Sequence, residues 1–82
     1  MEKELYFAKV DEKKVIENVL DALSKEYNEI IWTEQKEAID FNLTATKHYF
    51  NRRDELEKEL TEARESYTKE ELKEMSREYR NR

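Results

Sequence analysis

Apolar residues recur at helical spacing in the first third of the chain. Four of them follow one another at intervals of four, three and four residues: Ile16, Leu20, Leu23 and Tyr27. This spacing places the four side chains on one face of a helix. Asp11 stands just before the stripe and has the short oxygen-bearing side chain that favours a helix N-cap. The pattern predicts an amphipathic helix over residues 12–28 that is capped by Asp11.

The segment before Asp11 carries the apolar run Leu5-Tyr6-Phe7-Ala8-Lys9-Val10. The run is too short for its periodicity to distinguish one secondary structure from another. Residues 1–10 are therefore compatible with a short strand, an extended arm or a helical turn.

The residues from Asn28 to Thr33 form a candidate break between two helices. Thr33 is a suitable N-cap, and Glu34 adds a negative charge to the first turn that would follow it. We therefore predict a second helix over residues 33–66. One helix running straight through is the alternative, because the chain has neither Gly nor Pro to interrupt it.

A narrow apolar stripe runs along the second half of the predicted second helix. Its members are spaced by four, three and four residues: Leu56, Leu60, Ala63 and Tyr67. We call these residues the C-terminal stripe. The spacing is typical of a coiled coil, although it lasts less than two heptads. Residues 51–82 offer few other apolar partners, so we expect a second copy of the chain to cover this stripe.

The segment Tyr67-Thr68-Lys69-Glu70-Glu71-Leu72 carries the clearest local signal in the sequence. Thr68 and Glu71 have the spacing of a capping box, in which each side chain bonds to the backbone N–H of the other residue. Tyr67 and Leu72 flank the box as a hydrophobic staple. These residues predict a third helix over residues 69–80.

The predicted elements form an all-α fold of two or three helices in a single domain spanning residues 1–82. An antiparallel hairpin occupies residues 12–66, and a short C-terminal helix follows it. The composition agrees, because 45% of the residues are charged, mostly Glu, Lys and Arg, and Gly and Pro are absent. Only 17 residues are Leu, Ile, Val or Phe. Such a thin core leads us to expect a homo-oligomer.

Charge and cysteine content exclude several classes of function. A net charge of −5 makes the chain a poor general ligand for nucleic acid, whose phosphates require positive charge. The absence of Cys excludes a disulfide, a thiolate nucleophile and a Cys-ligated metal. No apolar run is long enough to span a membrane, and the first residues do not resemble a signal peptide. We therefore expect a cytoplasmic protein.

The residue types needed for catalysis are not arranged for it. His48 is the only histidine, and Thr44 and Arg52 stand one helical turn to either side of it. Neither residue can act as a metal ligand or orient an imidazole as a carboxylate would. The sequence also lacks a glycine-rich loop and paired carboxylates in an apolar segment. We expect no catalytic residues, no cofactor and no metal, and hence a protein that is not an enzyme.

Binding is the remaining class of function. Aromatic and apolar residues on or near the stripes are candidates for a protein interface: Trp32, Tyr49, Phe50, Leu56, Leu60 and Tyr67. Basic residues beside aromatic residues are candidates for nucleic-acid contacts: Lys47, Arg52, Arg53, Arg77 and Arg80.

The composition favours an acidic helical protein-binding module, such as an adaptor, an inhibitor or an assembly factor that also binds itself. By analogy, a small charge-rich chain also suits a phage or mobile-element accessory protein. Nucleic-acid binding through the basic residues is the alternative. A third hypothesis is a small-ligand pocket between subunits.

Overall fold

The chain folds into three α-helices and contains no strand. The computed structural model describes residues 1–82 and gives helices α1 (Lys3–Ile30), α2 (Lys36–Glu65) and α3 (Lys69–Arg80). The helices α1 and α2 pair as an antiparallel hairpin, so that residues near the start of α1 contact residues near the end of α2. The all-α prediction, with a long second helix and a short C-terminal helix, is confirmed.

The first helix is longer than its stripe predicted. It begins at Lys3, and Asp11 lies inside it, where the Asp11 carboxylate accepts a hydrogen bond from the Tyr79 hydroxyl at 2.6 Å. The prediction of Asp11 as N-cap is therefore wrong. Tyr6 and Phe7 are buried in the core. Their burial against the rest of the fold stabilises the extra turns, and no Gly or Pro opposes them.

A short loop separates α1 from α2, which confirms a break rather than one continuous helix. The second helix begins at Lys36, three residues later than the sequence predicted. Thr33 does not cap it. Its hydroxyl donates to the Ile30 carbonyl oxygen at 2.6 Å and accepts weakly from the Gln35 N–H at 3.4 Å. The Thr33 N–H donates to the same oxygen at 3.0 Å, so Thr33 closes the C-terminus of α1 instead of capping α2.

The core consists of two clusters along the hairpin. The larger cluster contains Tyr6, Phe7, Leu60, Ala63 and Met75. The smaller cluster contains Ile16, Leu20 and Leu56, with Tyr49 packed against it.

These clusters cover the C-terminal stripe within one chain. Leu56 is 0% exposed and Leu60 is 1% exposed. Our reason for expecting a second chain at this stripe is therefore wrong. Tyr6 and Phe7 lie in the segment 1–10, whose sequence left its secondary structure open, and on α1 these two side chains help to cover the stripe together with α3.

The third helix follows the local sequence closely. The Glu71 N–H donates to the Thr68 hydroxyl at 3.1 Å, and the Thr68 N–H donates to the Glu71 carboxylate at 3.0 Å. The capping box is thus confirmed. The helix turns Met75 and Tyr79 towards Phe7, with the Phe7 and Tyr79 rings 5.6 Å apart. It therefore lies against the first half of α1.

Candidate interaction surface

The half of the hairpin that α3 does not reach carries an open groove between α1 and α2. We call residues 17–50 the hairpin end. Apolar side chains dominate the groove, and eight residues line it: Leu20, Leu23, Ser24, Tyr27, Asn42, Leu43, Thr46 and Phe50. Its volume of about 200 Å³ is smaller than the ~300–1,000 Å³ typical of small-molecule pockets. The groove is therefore better suited to a side chain of a partner protein than to a separate ligand.

The groove lies on the same face of the hairpin as α3. Residues separated by multiples of seven remain on one face of a helix that is paired as in a coiled coil. Val10 and Ser24 are separated in this way in α1, and so are Arg64 and Phe50 in α2. Val10 and Arg64 line the cavity beneath α3, whereas Ser24 and Phe50 line the groove. The third helix thus covers one half of a continuous face and leaves the other half open.

Large apolar side chains are exposed around the hairpin end. Trp32 in the loop is 89% exposed, and Phe41 is 75% exposed. Leu43 and Phe50 remain about half exposed at the rim of the groove. Phe41 stands two residues before Leu43, so it projects to the other side of α2. The hairpin end therefore presents one apolar groove together with two separate aromatic anchors.

The interface candidates from the sequence divide into three groups. Trp32 and Phe50 are exposed at the hairpin end. Tyr49 is half-buried against the smaller core cluster, and Tyr67 is half-buried with its ring 6.1 Å from that of Tyr6. Leu56 and Leu60, the third group, are buried inside the chain and offer no surface to a partner.

Sequence reasoning did not select Phe41 and Leu43 as surface residues. Both lie in the apolar segment at residues 38–45, near the start of the second helix. The sequence did contain a signal for their exposure. Tyr49 lies seven residues before Leu56 and extends the C-terminal stripe, whereas Phe41 and Leu43 do not fit its spacing. Apolar residues outside that stripe must lie on the surface of a two-helix hairpin.

The predicted basic candidates do not form one surface. The Arg52 guanidinium donates to both carboxylate oxygens of Glu12 across the hairpin, at 2.9 Å and 3.1 Å, and it also contacts Glu55. These hydrogen bonds raise the pKa of Arg52 above its ordinary value. Arg53 packs over the Phe50 ring at 4.7 Å and pairs with Asp54.

The other basic candidates are Lys47 on α2 and Arg77 and Arg80 on α3. All three are exposed, and none takes part in an ion pair within the chain. The basic candidates that remain outside ion pairs are thus divided between two helices.

The rest of the surface shows no arrangement suited to metal chemistry. His48 is exposed, and its ring centroid lies 5.3 Å from that of Tyr49. No group of three or more His, Cys, Asp or Glu side chains is placed to hold a metal ion. No helix is apolar over a stretch long enough to cross a membrane.

Comparison with known proteins gave no relative of this chain. No protein-family model matches the chain, and neither the curated proteins nor the solved structures gave a match.

Proposed function

We propose that this chain is a protein-binding module that engages its partner through the hairpin end. The observation that carries the proposal is the exposure of Trp32 and Phe41 at the hairpin end, which also carries an open apolar groove. Exposed apolar side chains are unfavourable in water, and their concentration at one end of a molecule indicates an interaction site.

The kinds of side chain at the hairpin end support the same conclusion. Aromatic residues are enriched at the energetic centres of protein interfaces, and Trp is among the most enriched. Trp32 lies in a loop at the far end of the hairpin from α3, where it is accessible to a large partner. A module of this size and geometry acts by occupying or bridging surfaces, as adaptors, inhibitors and assembly factors do.

Photo-crosslinking tests the proposal directly. A photoreactive amino acid is placed at Trp32 or at Phe41 in the native host, and adducts are identified by mass spectrometry. Val15 is a matched control position, because it is 61% exposed but lies outside the hairpin end. We expect a protein adduct from Trp32 or Phe41 that is absent from Val15.

Binding of the captured protein is then measured with purified components. Because a Trp at an interface centre commonly contributes about 2 kcal/mol or more, Trp32→Ala should weaken the affinity by at least about tenfold. Adducts that are equal at all three positions, or an unchanged affinity for the variant, would overturn the proposal.

A further inference from the structure

We infer that the face of the hairpin end that carries the groove packs against the same face of a second copy. The two copies form an antiparallel two-fold dimer. This inference rests on the proposed function, because it names the first partner of the same surface.

The position of α3 leaves room for a second hairpin. The third helix forms a second layer over one half of the hairpin face. No helix covers the other half, where the groove lies. A second hairpin that packs its own groove face on the first would lie in the empty layer. The two hairpins would then form two layers of two helices each, as in a four-helix bundle, with the helix axes of the two layers about 8–10 Å apart.

An antiparallel two-fold axis has a defined consequence for α3. The centre of the groove lies near Leu23 of α1, and we place the two-fold axis there. Lys14 and Trp32 are equally distant from Leu23 along the chain, so Lys14 of one copy lies beside Trp32 of the other. The C-terminal end of α3 lies at the level of Lys14, whose ammonium group is 4.5 Å from the centre of the Tyr79 ring. The end of α3 in each copy would therefore meet the loop of the other copy.

The charges at these two places are complementary. Arg77 and Arg80 lie near the C-terminus of α3, whereas three acidic side chains, Glu29, Glu34 and Glu37, surround the loop and outnumber the single Lys36 there. None of these six side chains has an ion-pair partner within its own chain. The antiparallel arrangement gives partners to both groups, and a parallel arrangement would bring the acidic loops together. It also places Trp32 next to arginine side chains, which bind well to aromatic faces.

The area of the contact is sufficient for a reversible dimer. Residues 17–30 of α1 extend about 20 Å at 1.5 Å per residue, and two adjacent helices are about 20 Å wide. The groove face therefore offers about 400 Å² of projected area per copy, or about 800 Å² in the pair. The contacts of α3 with the loop add to this and bring the total close to the ~1,000 Å² of a specific interface. We expect a dissociation constant in the micromolar range.

The mass in solution gives the first test. Light scattering after size exclusion should give twice the 10.1 kDa chain mass at 100 μM, which is about 20 kDa, and a decline towards 10.1 kDa on dilution. A mass of 10.1 kDa throughout would overturn the inference. A mass above that of a dimer would also overturn it, because a two-fold contact between identical grooves closes at two copies.

Variants then locate the interface. Phe50→Asp places a charge in the groove, and we expect the dissociation constant to rise at least tenfold while circular dichroism remains helical. Val15→Asp is the matched control outside the groove and should leave the mass unchanged. An equal effect of the two variants, or a Phe50→Asp chain that remains dimeric, would refute the assignment.

Charge reversal tests the same interface without altering its apolar residues. Arg80→Glu alone should weaken the dimer, and Glu34→Arg in the same chain should restore it. Because both side chains are exposed, this pair also serves if Phe50→Asp fails to fold. A double variant that is no tighter than Arg80→Glu would count against the arrangement.

Cysteine cross-linking tests the orientation, since the chain has no native Cys. An equimolar mixture of Glu34→Cys and Arg80→Cys chains should oxidise mainly to the heterodimer. Efficient self-linkage of Glu34→Cys chains would indicate a parallel pair and overturn the antiparallel one. A monomeric chain that still gives specific adducts at Trp32 would refute the dimer but leave the proposed function intact, so the two failures are distinguishable.

Discussion

The side-chain amide of Asn42 in α2 donates a hydrogen bond to the backbone carbonyl oxygen of Leu23 in α1, with 2.9 Å between the two atoms. The same amide donates to the Glu26 carboxylate at 3.0 Å. Asn42 is the one buried polar residue of the chain and is 1% exposed. A buried polar residue at an otherwise apolar helix contact fixes the register of the two helices, because a shifted register would leave its amide without partners.

We expect Asn42→Ala to lower the free energy of unfolding by about 1–3 kcal/mol, because it removes these hydrogen bonds and leaves a small cavity. Asn42→Leu should recover part of this loss through apolar burial, while register specificity is reduced. Urea unfolding followed by circular dichroism measures both effects. An Asn42→Ala variant as stable as the wild type would contradict the role assigned to Asn42.

The buried C-terminal stripe should determine stability rather than association. Leu60→Ala should lower the free energy of unfolding by about 2–5 kcal/mol, because Leu60 is 1% exposed in the larger cluster. Val15→Ala, at a residue that is 61% exposed, should change it by no more than about 0.5 kcal/mol. Chemical denaturation at equal protein concentrations compares the variants. A small effect of Leu60→Ala would indicate that α1 does not cover the stripe.

The capping box of α3 can be tested without disturbing the hairpin. Thr68→Ala removes the acceptor of the Glu71 N–H and should cost about 0.5–2 kcal/mol of local stability. Hydrogen exchange should accelerate over residues 69–75 and stay unchanged over residues 12–28. Thr68→Ser keeps the hydroxyl and serves as the control. Unchanged exchange in α3 of the alanine variant would count against the cap.

Acid should weaken the hairpin partly through Glu59. A hydrogen bond from Lys9 holds the pKa of the Glu59 carboxyl below its ordinary value. The stabilising contribution is therefore present above the unfolded pKa and is lost as the pH falls through the lower folded pKa. The urea midpoint of Glu59→Gln should lie below that of the wild type at pH 7 and approach it as the pH falls through the folded pKa of Glu59. Glu62→Gln, at an exposed residue without an ion pair, should show no such convergence.

Nucleic-acid binding is testable with the arginine residues that remain available. We expect no binding to DNA or RNA at physiological salt, given the charge of −5 and the engagement of Arg52 by Glu12. Fluorescence anisotropy with single- and double-stranded probes measures it. Salt-sensitive binding that Arg77→Ala with Arg80→Ala abolishes would contradict this expectation. Arg52→Ala should instead lower hairpin stability, because it leaves Glu12 unpaired.

Local sequence alone was sufficient where short-range chemistry dominates. The capping box of Thr68 and Glu71 predicted the start of α3, since both hydrogen bonds form between residues three apart. The stripe from Ile16 to Tyr27 likewise predicted the helical core of α1. The break between the long helices was also predicted from the sequence. The role of Thr33 in it was not, because a threonine between two helices can bond to the end of the first or to the start of the second.

Only the tertiary structure decided which apolar residues are buried. Phe7 and Leu60 share one core cluster although they are far apart in the sequence, and neither could be paired from local spacing. Because Phe7 and its neighbours cover Leu60, the C-terminal stripe is not available to a partner. The exposed apolar surface lies instead at Trp32 and at the groove beside Phe50. The physical reason is that helical periodicity fixes which residues share a face, whereas burial depends on which other face packs against it.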